Sequence, residues 1–227
     1  MYGTTDNLHN HLNYTSIEWS TSPYYTKVIK ILLENQIKSF IDIGACSGAV
    51  YEILKKQIPS LCNGILIEAN PSNFDFININ SKHRNEITVL NKALFYGDKI
   101  LHLGSNNDNV GSWSIRDKTN NNSFAIESIT FEDVLDLYFK EIPDFVKIDI
   151  EGAEYNFLEN SKKLKEVPFI EIEFHENLDY GYPSTVWNKI WRPFAEKYLP
   201  NHELILGGHT DFYDGSGFFK LKDLNVK

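Results

Sequence analysis

Basic charge is scarce in this 227-residue sequence: 22 Lys and Arg stand against 31 Asp and Glu, a formal net charge of −9 at pH 7. Binding a phosphate backbone needs a concentrated basic surface, so no nucleic-acid partner is expected. The two small basic clusters, Lys55–Lys56 and Lys162–Lys163, read as solvated helix faces. Cysteine is scarcer still. Cys46 and Cys62 fit no metal spacing and give no disulfide framework, so both are expected as small buried thiols in a reducing cytoplasm. No apolar run reaches the roughly 18 residues of a membrane span. The opening stretch, MYGTTDNLHNHLNY, lacks the basic and apolar blocks of a secretory signal. A cytoplasmic protein without a membrane span is the expectation.

What is present is an ordinary globular composition, 42% hydrophobic and 23% charged, in a chain long enough for one large domain and short for two. Strand-like apolar runs alternate with helix-like periods, the pattern of a mostly parallel sheet covered by helices. A helix is expected near 23–36, then a strand at 39–43, a helix near 48–57, a strand at 64–68, a helix near 72–82 and a strand at 87–91. KILHLG and FAIESI, on either side of a polar loop, read as an inserted β-hairpin. Thr130 caps the helix TFEDVLDLYFK, with Asp133 at its third position. The strand DFVKIDI, a helix over about 152–163 and the strand PFIEIEF follow. Ser184 starts a last helix that Pro193 kinks or breaks, and HELILGG with GSGFFKLK forms a terminal antiparallel pair. The fold class is α/β and Rossmann-like, a seven-stranded sheet with an antiparallel C-terminal strand. One domain spans 1–227: an N-terminal arm and helix (1–38), a core (39–176), and a C-terminal helix and strand pair (177–227).

Four stretches carry chemistry. FIDIGACSG, residues 40–48, ends a strand in small residues, so Gly44 and Gly48 allow close backbone approach of a ligand and Asp42 can accept from a cationic group. A tight strand-to-helix turn alone would look the same. GILIEAN places Glu68 at the end of the next strand, where a carboxylate accepts both hydroxyls of a ribose. Together the two point to a nucleoside-bearing ligand. The spacing is not G-x-G-x-x-G, which argues against a dinucleotide. In DFVKIDIEGAEYNFL, Lys147, Asp149 and Glu151 alternate along a strand, and acids on an apolar strand emerge where it meets a cleft. FIEIEFH sets Glu171, Glu173 and His175 on one face. Glu171 reads as a salt-bridged or rim residue, while Glu173 and His175 lie at the catalytic end. Glu151, Glu154, Glu173 and His175 are the set that could frame a divalent metal, but no spacing marks a metal site and none is expected. His9 and His11 read as a solvated pair at a flexible terminus.

DIGACSG, IEANP, NKAL, SITFEDVL, VKIDIEGAE and IEIEFH occur in that order over roughly residues 39–176, and in this the sequence resembles the FkbM-type methyltransferases, which use S-adenosyl-L-methionine. Cys46 stands where that family commonly has Asn. The resemblance implies that Asp42, Gly44, Ala45 and Gly48 line the methionine part of the cofactor. It implies further that Glu68 holds the ribose beside Ala69 and Asn70, and that Asn91 and Ala93 border the adenine. Asp149 would sit at the transfer site with Glu173 and His175 facing it, and the reaction would be O-methylation of a saccharide or other small-molecule hydroxyl. Asp149 or His175 would be the base, histidine being the better match near neutral pH. Trp113 and Arg116 on the long loop, and DYGYPSTVW after the last catalytic strand, are candidates to shape the acceptor pocket. Tyr14, Trp19, Tyr24 and Tyr25 read first as packing. The rivals are a nicotinamide-dependent oxidoreductase and a non-catalytic cofactor-binding subunit.

Overall fold

A computed structural model describes residues 5–104, 114–115, 123–175, 190–207 and 215–224; of these, Thr5, Asp6, Ser114 and Ile115 are described by their backbone alone. Helix α1 (Thr5–Thr21) opens the chain, followed by α2 (Pro23–Glu34), β1 (Ser39–Ile43), α3 (Ala49–Gln57), β2 (Asn63–Ile67), α4 (Pro71–Ser81) and β3 (Ile87–Leu90). The insertion comprises β4 (Ala93–Leu94), β5 (Ile100–Gly104), β6 (Ser114–Ile115) and β7 (Ser123–Ile129). Then come α5 (Phe131–Val134), running on as a π-helical turn to Phe139, β8 (Phe145–Ile148), α6 (Glu154–Asn160) and β9 (Phe169–Phe174). Helix α7 (Arg192–Tyr198), β10 (His202–Gly207) and β11 (Gly215–Leu221) complete the described chain.

The main sheet has the order β10-β11-β9-β8-β1-β2-β3. All neighbouring pairs from β9 to β3 are parallel, and β11 runs antiparallel to both β9 and β10. From β1 the chain steps outward to β2 and β3, then returns to the other side of β1 with β8. The carboxyl ends of β1 and β8 are therefore the switch point where open α/β sheets bind ligands. At the opposite ends the register is pinned by Asp144, whose Oδ2 accepts from the backbone N–H of Lys38 (2.7 Å) and Ser39 (3.0 Å).

The period-2 alternation of the strands sorts the core into two layers. Ile41, Ile43, Ile65, Ile67, Val146 and Ile148 face α5, α6 and α7 through Phe131, Tyr155 and Phe194. Phe40, Leu66, Phe145, Phe169 and Phe218 face α2 and α3 through Val28, Leu32 and Leu54. This second face also carries a buried polar row. Asp42, Lys147 and Glu171 stand side by side on β1, β8 and β9, paired directly by register.

The inserted hairpin is present, with β5 antiparallel to β7; β4 and β6 extend it into a small sheet of order β4-β7-β5-β6. The Thr130 cap forms as a full capping box with Asp133. Thr130→Ala is expected to lower stability by about 1 kcal/mol in urea denaturation, the usual worth of such a cap. The helix expected at 152–163 divides into α6 and a 3₁₀ turn at Lys163–Glu166. Ile190 and Trp191 are π-helical and α7 follows at once, so the helical run changes type beside Pro193, the disturbance expected of a proline inside a helix. A start at Ser184 lies outside the described residues. Cys62 is exposed rather than buried, and Cys46 is half-buried. Among the described residues no helix is long and apolar enough to cross a membrane.

The largest difference from expectation is α1. The N-terminal arm is a helix, and its inward stripe is Leu8, His11, Thr15 and Trp19, at spacings of three and four. Two of those four are polar, so an apolar-periodicity reading passes over them. Trp19, Tyr24 and Tyr25 are packing residues, as expected, with Trp19 stacked on Tyr25 at 4.2 Å. Tyr14 is 67% exposed.

Candidate active site

A cavity of about 550 Å³ opens at the carboxyl ends of β1 and β8, a size that suits a nucleoside-sized ligand together with part of a second molecule. Its floor is the turn after β1. Gly44, at φ 83°, hydrogen-bonds through its N–H to the Ile67 carbonyl (2.9 Å), and the next N–H, of Ala45, reaches the same oxygen (3.1 Å). Cys46 follows with φ 48°, a left-handed conformation that Asn tolerates better than most residues, which accounts physically for the Asn common at this place. Gly48, φ 76°, then starts α3.

Glu68, one residue past β2, reaches back over this turn. Its Oε2 accepts from the Cys46 N–H and its Oε1 from the Asn70 N–H, both at 2.7 Å. The Asn73 side-chain amide also reaches Oε1 (3.5 Å), so the open lone pair that faces a ligand is on Oε2. Burial pushes the carboxyl up to about 7, against the pull of the two backbone N–H groups. Beyond Glu68 the wall turns apolar, with Ala69, Ala93, Leu94, Leu101 and Leu103 lining it. The hairpin thus supplies one side of the cavity through β5.

At the other end stand Asp149, Glu151, Glu173 and His175. Lys147 Nζ is 2.8 Å from Asp149 Oδ2 and 3.9 Å from Asp42 Oδ1. Burial alone would pull this ammonium down; Asp149, Asp42 and Glu171 outweigh it and hold the charge on. Burial likewise opposes ionisation of Asp149, but Lys147 and His175 prevail and hold its carboxyl below the usual range. Glu154, fully buried at the start of α6, ties the turn together: Oε1 accepts from the Ile150 N–H (3.0 Å) and lies 3.0 Å from His175 Nδ1, and Oε2 accepts from the Gly152 N–H (2.9 Å). Burial would lower the imidazole, yet Glu154, Glu151 and Asp149 hold it well above its ordinary value. A histidine so placed keeps its proton at neutral pH, so it does not match the base expected of it.

Of the residues singled out in the sequence, Gly44, Ala45, Glu68, Ala69, Ala93, Asp149, Glu173 and His175 meet in this cavity. Asp42, Gly48, Asn70 and Asn91 stand behind it. Asp42 is fully buried beneath the turn, neither oxygen accepts a hydrogen bond from the described residues, and burial pushes its carboxyl up to about 6. Asn70 caps α4 through the Ser72 N–H. Asn91 donates to the carbonyls of Glu68 (2.9 Å) and Ala69 (3.2 Å), bracing β2 against β3. Glu171 is not at the rim: it is fully buried in the polar row, where burial pushes its carboxyl well up. Trp113, Arg116 and DYGYPSTVW lie outside the described residues.

Sequence reasoning missed the contribution of α1. His11 is not solvated; its Nδ1 lies 3.1 Å from Ser47 Oγ, over the glycine turn, and burial lowers its imidazole. Thr15, Glu18 and Trp19 line the same wall. The signal was the three-and-four spacing of Leu8, His11, Thr15 and Trp19.

Among solved structures the chain is similar to the methyltransferase FkbM from Methylobacillus flagellatus KT, at 19% identity and a TM-score of 0.54 over 81% of this chain and 44% of that one. This chain thus spans less than half the length of that relative, and the likeness shows the fold. It is also similar to M. capricolum TrmK, solved in complex with S-adenosyl-homocysteine, at 10% identity and a TM-score of 0.49 over 86% of this chain and 66% of that one. No curated protein matches the sequence. A family model, the methyltransferase FkbM domain, matches residues 42–198, from β1 through α7. The chain belongs to the FkbM methyltransferase family.

Proposed function

We propose that the chain transfers a methyl group from S-adenosyl-L-methionine to a hydroxyl of a saccharide or glycan. The observation that carries the reading is the division of one cavity into two ends. A ribose-type carboxylate and an apolar wall occupy one, and hydrogen-bonding carboxylates occupy the other. The residues fit the cofactor: the Glu68 carboxylate, with Oε2 open, suits a ribose hydroxyl, and Ala69, Ala93, Leu94, Leu101 and Leu103 suit a flat base. Support for a polyol acceptor comes from the carboxylates Glu18, Asp149, Glu151 and Glu173 that line the cavity, with the exposed Tyr14 beside them in its lining.

S-adenosyl-L-methionine supplies, when bound, a methyl group already activated on a sulfonium. The chain's own work is therefore chiefly alignment. Gly44 and Ala45 seat the donor, Glu68 fixes its ribose, and Glu173 and Asp149 hold the acceptor oxygen. Asp149 takes the proton as that oxygen gains the methyl. A carboxylate held low is a weak base, and general-base help is worth about 10² to 10⁴ in rate. Orientation in a well-aligned pair is worth about 7–11 kcal/mol, so it outweighs the proton transfer.

Calorimetric titration with S-adenosylhomocysteine, with NAD alongside, tests the reading. Micromolar binding of the first is expected, weakened about ten- to hundredfold by Glu68→Ala through loss of charge-assisted hydrogen bonds. The sign of the pH effect follows from a carboxyl pushed up to about 7: at pH 6 it is mostly protonated and at pH 8 mostly ionised. Affinity should rise over that window in the native chain and stay flat in Glu68→Gln. Binding of NAD alone would overturn the proposal.

A further inference from the structure

At the acidic end, three donor atoms face one gap. His175 Nε2 lies 3.8 Å from Asp149 Oδ1 and 3.9 Å from Glu151 Oε2, and the three atoms all lie within 4.8 Å of one another. Those separations are too long for hydrogen bonds, which end near 3.2 Å for N–H···O. The atoms instead surround a space of about the width that a cation fills between its ligands. A cation entering the gap would displace the proton that His175 holds at Nε2, because a ligating nitrogen must be deprotonated.

The orientation of each ligand is fixed from behind. Glu154 engages Nδ1 of His175 at 3.0 Å, which turns Nε2 toward the gap. Lys147 engages Oδ2 of Asp149 at 2.8 Å, which leaves Oδ1 facing the gap. A carboxylate behind a histidine is the usual outer partner of a metal-bound imidazole. Glu154 also binds the N–H groups of Ile150 and Gly152, so the turn carrying Glu151 and the ring of His175 are held in one frame.

We propose that Asp149, Glu151 and His175 bind a divalent cation of the magnesium–manganese class, whose remaining positions hold the oxygens of the acceptor. The inference rests on the methyl-transfer reading for its acceptor, though not for the ion. Two carboxylates and one imidazole, with no thiolate among them, select hard to borderline divalent ions. Three ligands on one side leave the cavity side open. An ion there orients two neighbouring hydroxyls at once, the template role of catalytic metals. It takes over from Asp149 the holding of the acceptor oxygen. Because Asp149→Asn slows transfer with or without an ion, the test reads metal binding rather than rate.

The experiment is a titration of the chelator-treated full chain with Mn²⁺, read by electron paramagnetic resonance of the free ion. The expected result is one site per chain, emptied by excess Mg²⁺ and weakened at least about tenfold in both Glu151→Gln and His175→Gln. Glu151 is partly exposed, so its variant should fold even where the buried histidine variant does not. S-adenosylhomocysteine binding is measured on the same samples. Cofactor binding without Mn²⁺ binding, or Mn²⁺ binding equal in native protein and variants, overturns the metal site and leaves the methyl-transfer reading standing. Loss of both in the native chain overturns the two together.

Discussion

Gly44→Ala should leave little folded protein, whereas Gly48→Ala, four residues on, should fold and melt only modestly lower. Both glycines have positive φ, 83° and 76°, so each substitution carries the left-handed penalty of about 1–2 kcal/mol. They differ in what a methyl group would meet. At Gly48 the nearest atoms are side-chain carbons at 3.5 Å, which is ordinary contact. At Gly44 an added Cβ would lie 1.7 Å from the Asp149 carbonyl oxygen and 2.8 Å from its carbon. That obstacle is backbone, and it belongs to a strand end already tied to β1 by the Asp149 N–H to Ile43 carbonyl bond (3.0 Å). Relief requires β1 and β8 to part at the switch point, in the middle of the sheet. The expected loss exceeds about 4 kcal/mol, a large share of a typical domain's 5–15. Soluble yield and thermal melting of the two variants measure it. Melting temperatures within a few degrees of each other would show that the contact between β1 and β8 is not what requires glycine at 44.

The strands were legible because they are apolar, short and bounded: β1 falls on 39–43 as expected, and β2, β3, β8 and β9 within one or two residues of expectation. The capping box at Thr130 was legible for a local reason, since both partners lie within three residues. Helix α1 was not. Its mean apolar content is low, and its inward stripe earns its burial from the glycine turn and α3, contacts distant in sequence. Propensity and periodicity cannot register a helix stabilised mainly by its docking partner. Pro193 was legible for a local reason as well, since the helical run changes from π to α type beside it.

In the site, strand ends were legible and side-chain directions were less so. Asp42 and Gly44 share one face of β1, yet the bulk of the turn separates Asp42 from the cavity and leaves it to Lys147. Asn91 sits next to the apolar wall, but its amide is spent on two carbonyls of the neighbouring strand end. Alternation in IEIEFH correctly placed Glu171, Glu173 and His175 on one side of β9. It could not reveal that α2 would bury Glu171 while the cavity opens over Glu173. The protonation of His175 was out of reach for a related reason: it depends on Glu154, Glu151 and Asp149 converging from a turn more than twenty residues earlier.

Asp149→Asn is expected to slow methyl transfer by about 10² to 10⁴ while leaving S-adenosylhomocysteine affinity within a few-fold of native. The substitution keeps the shape of the side chain and removes its charge, so packing is preserved and electrostatics change. Cofactor affinity is insulated because Glu68 follows β2 and Gly44 follows β1, and among the described residues neither donates a hydrogen bond to the Asp149 carboxylate. The rate is exposed because Asp149 is the carboxylate that the frame of Lys147 and His175 keeps ionised. His175→Ala should also slow transfer, by a different route: it removes the positive neighbour of Asp149 and leaves Glu154 buried without its imidazole. Both variants should therefore lose stability as well as rate, Asp149→Asn because the buried Lys147 gives up the carboxylate 2.8 Å from its Nζ. Single-turnover transfer measured beside cofactor titration and thermal melting separates the two effects. Native rates in both variants would remove the acidic end of the cavity from the chemistry and leave the Glu68 end as a binding site alone.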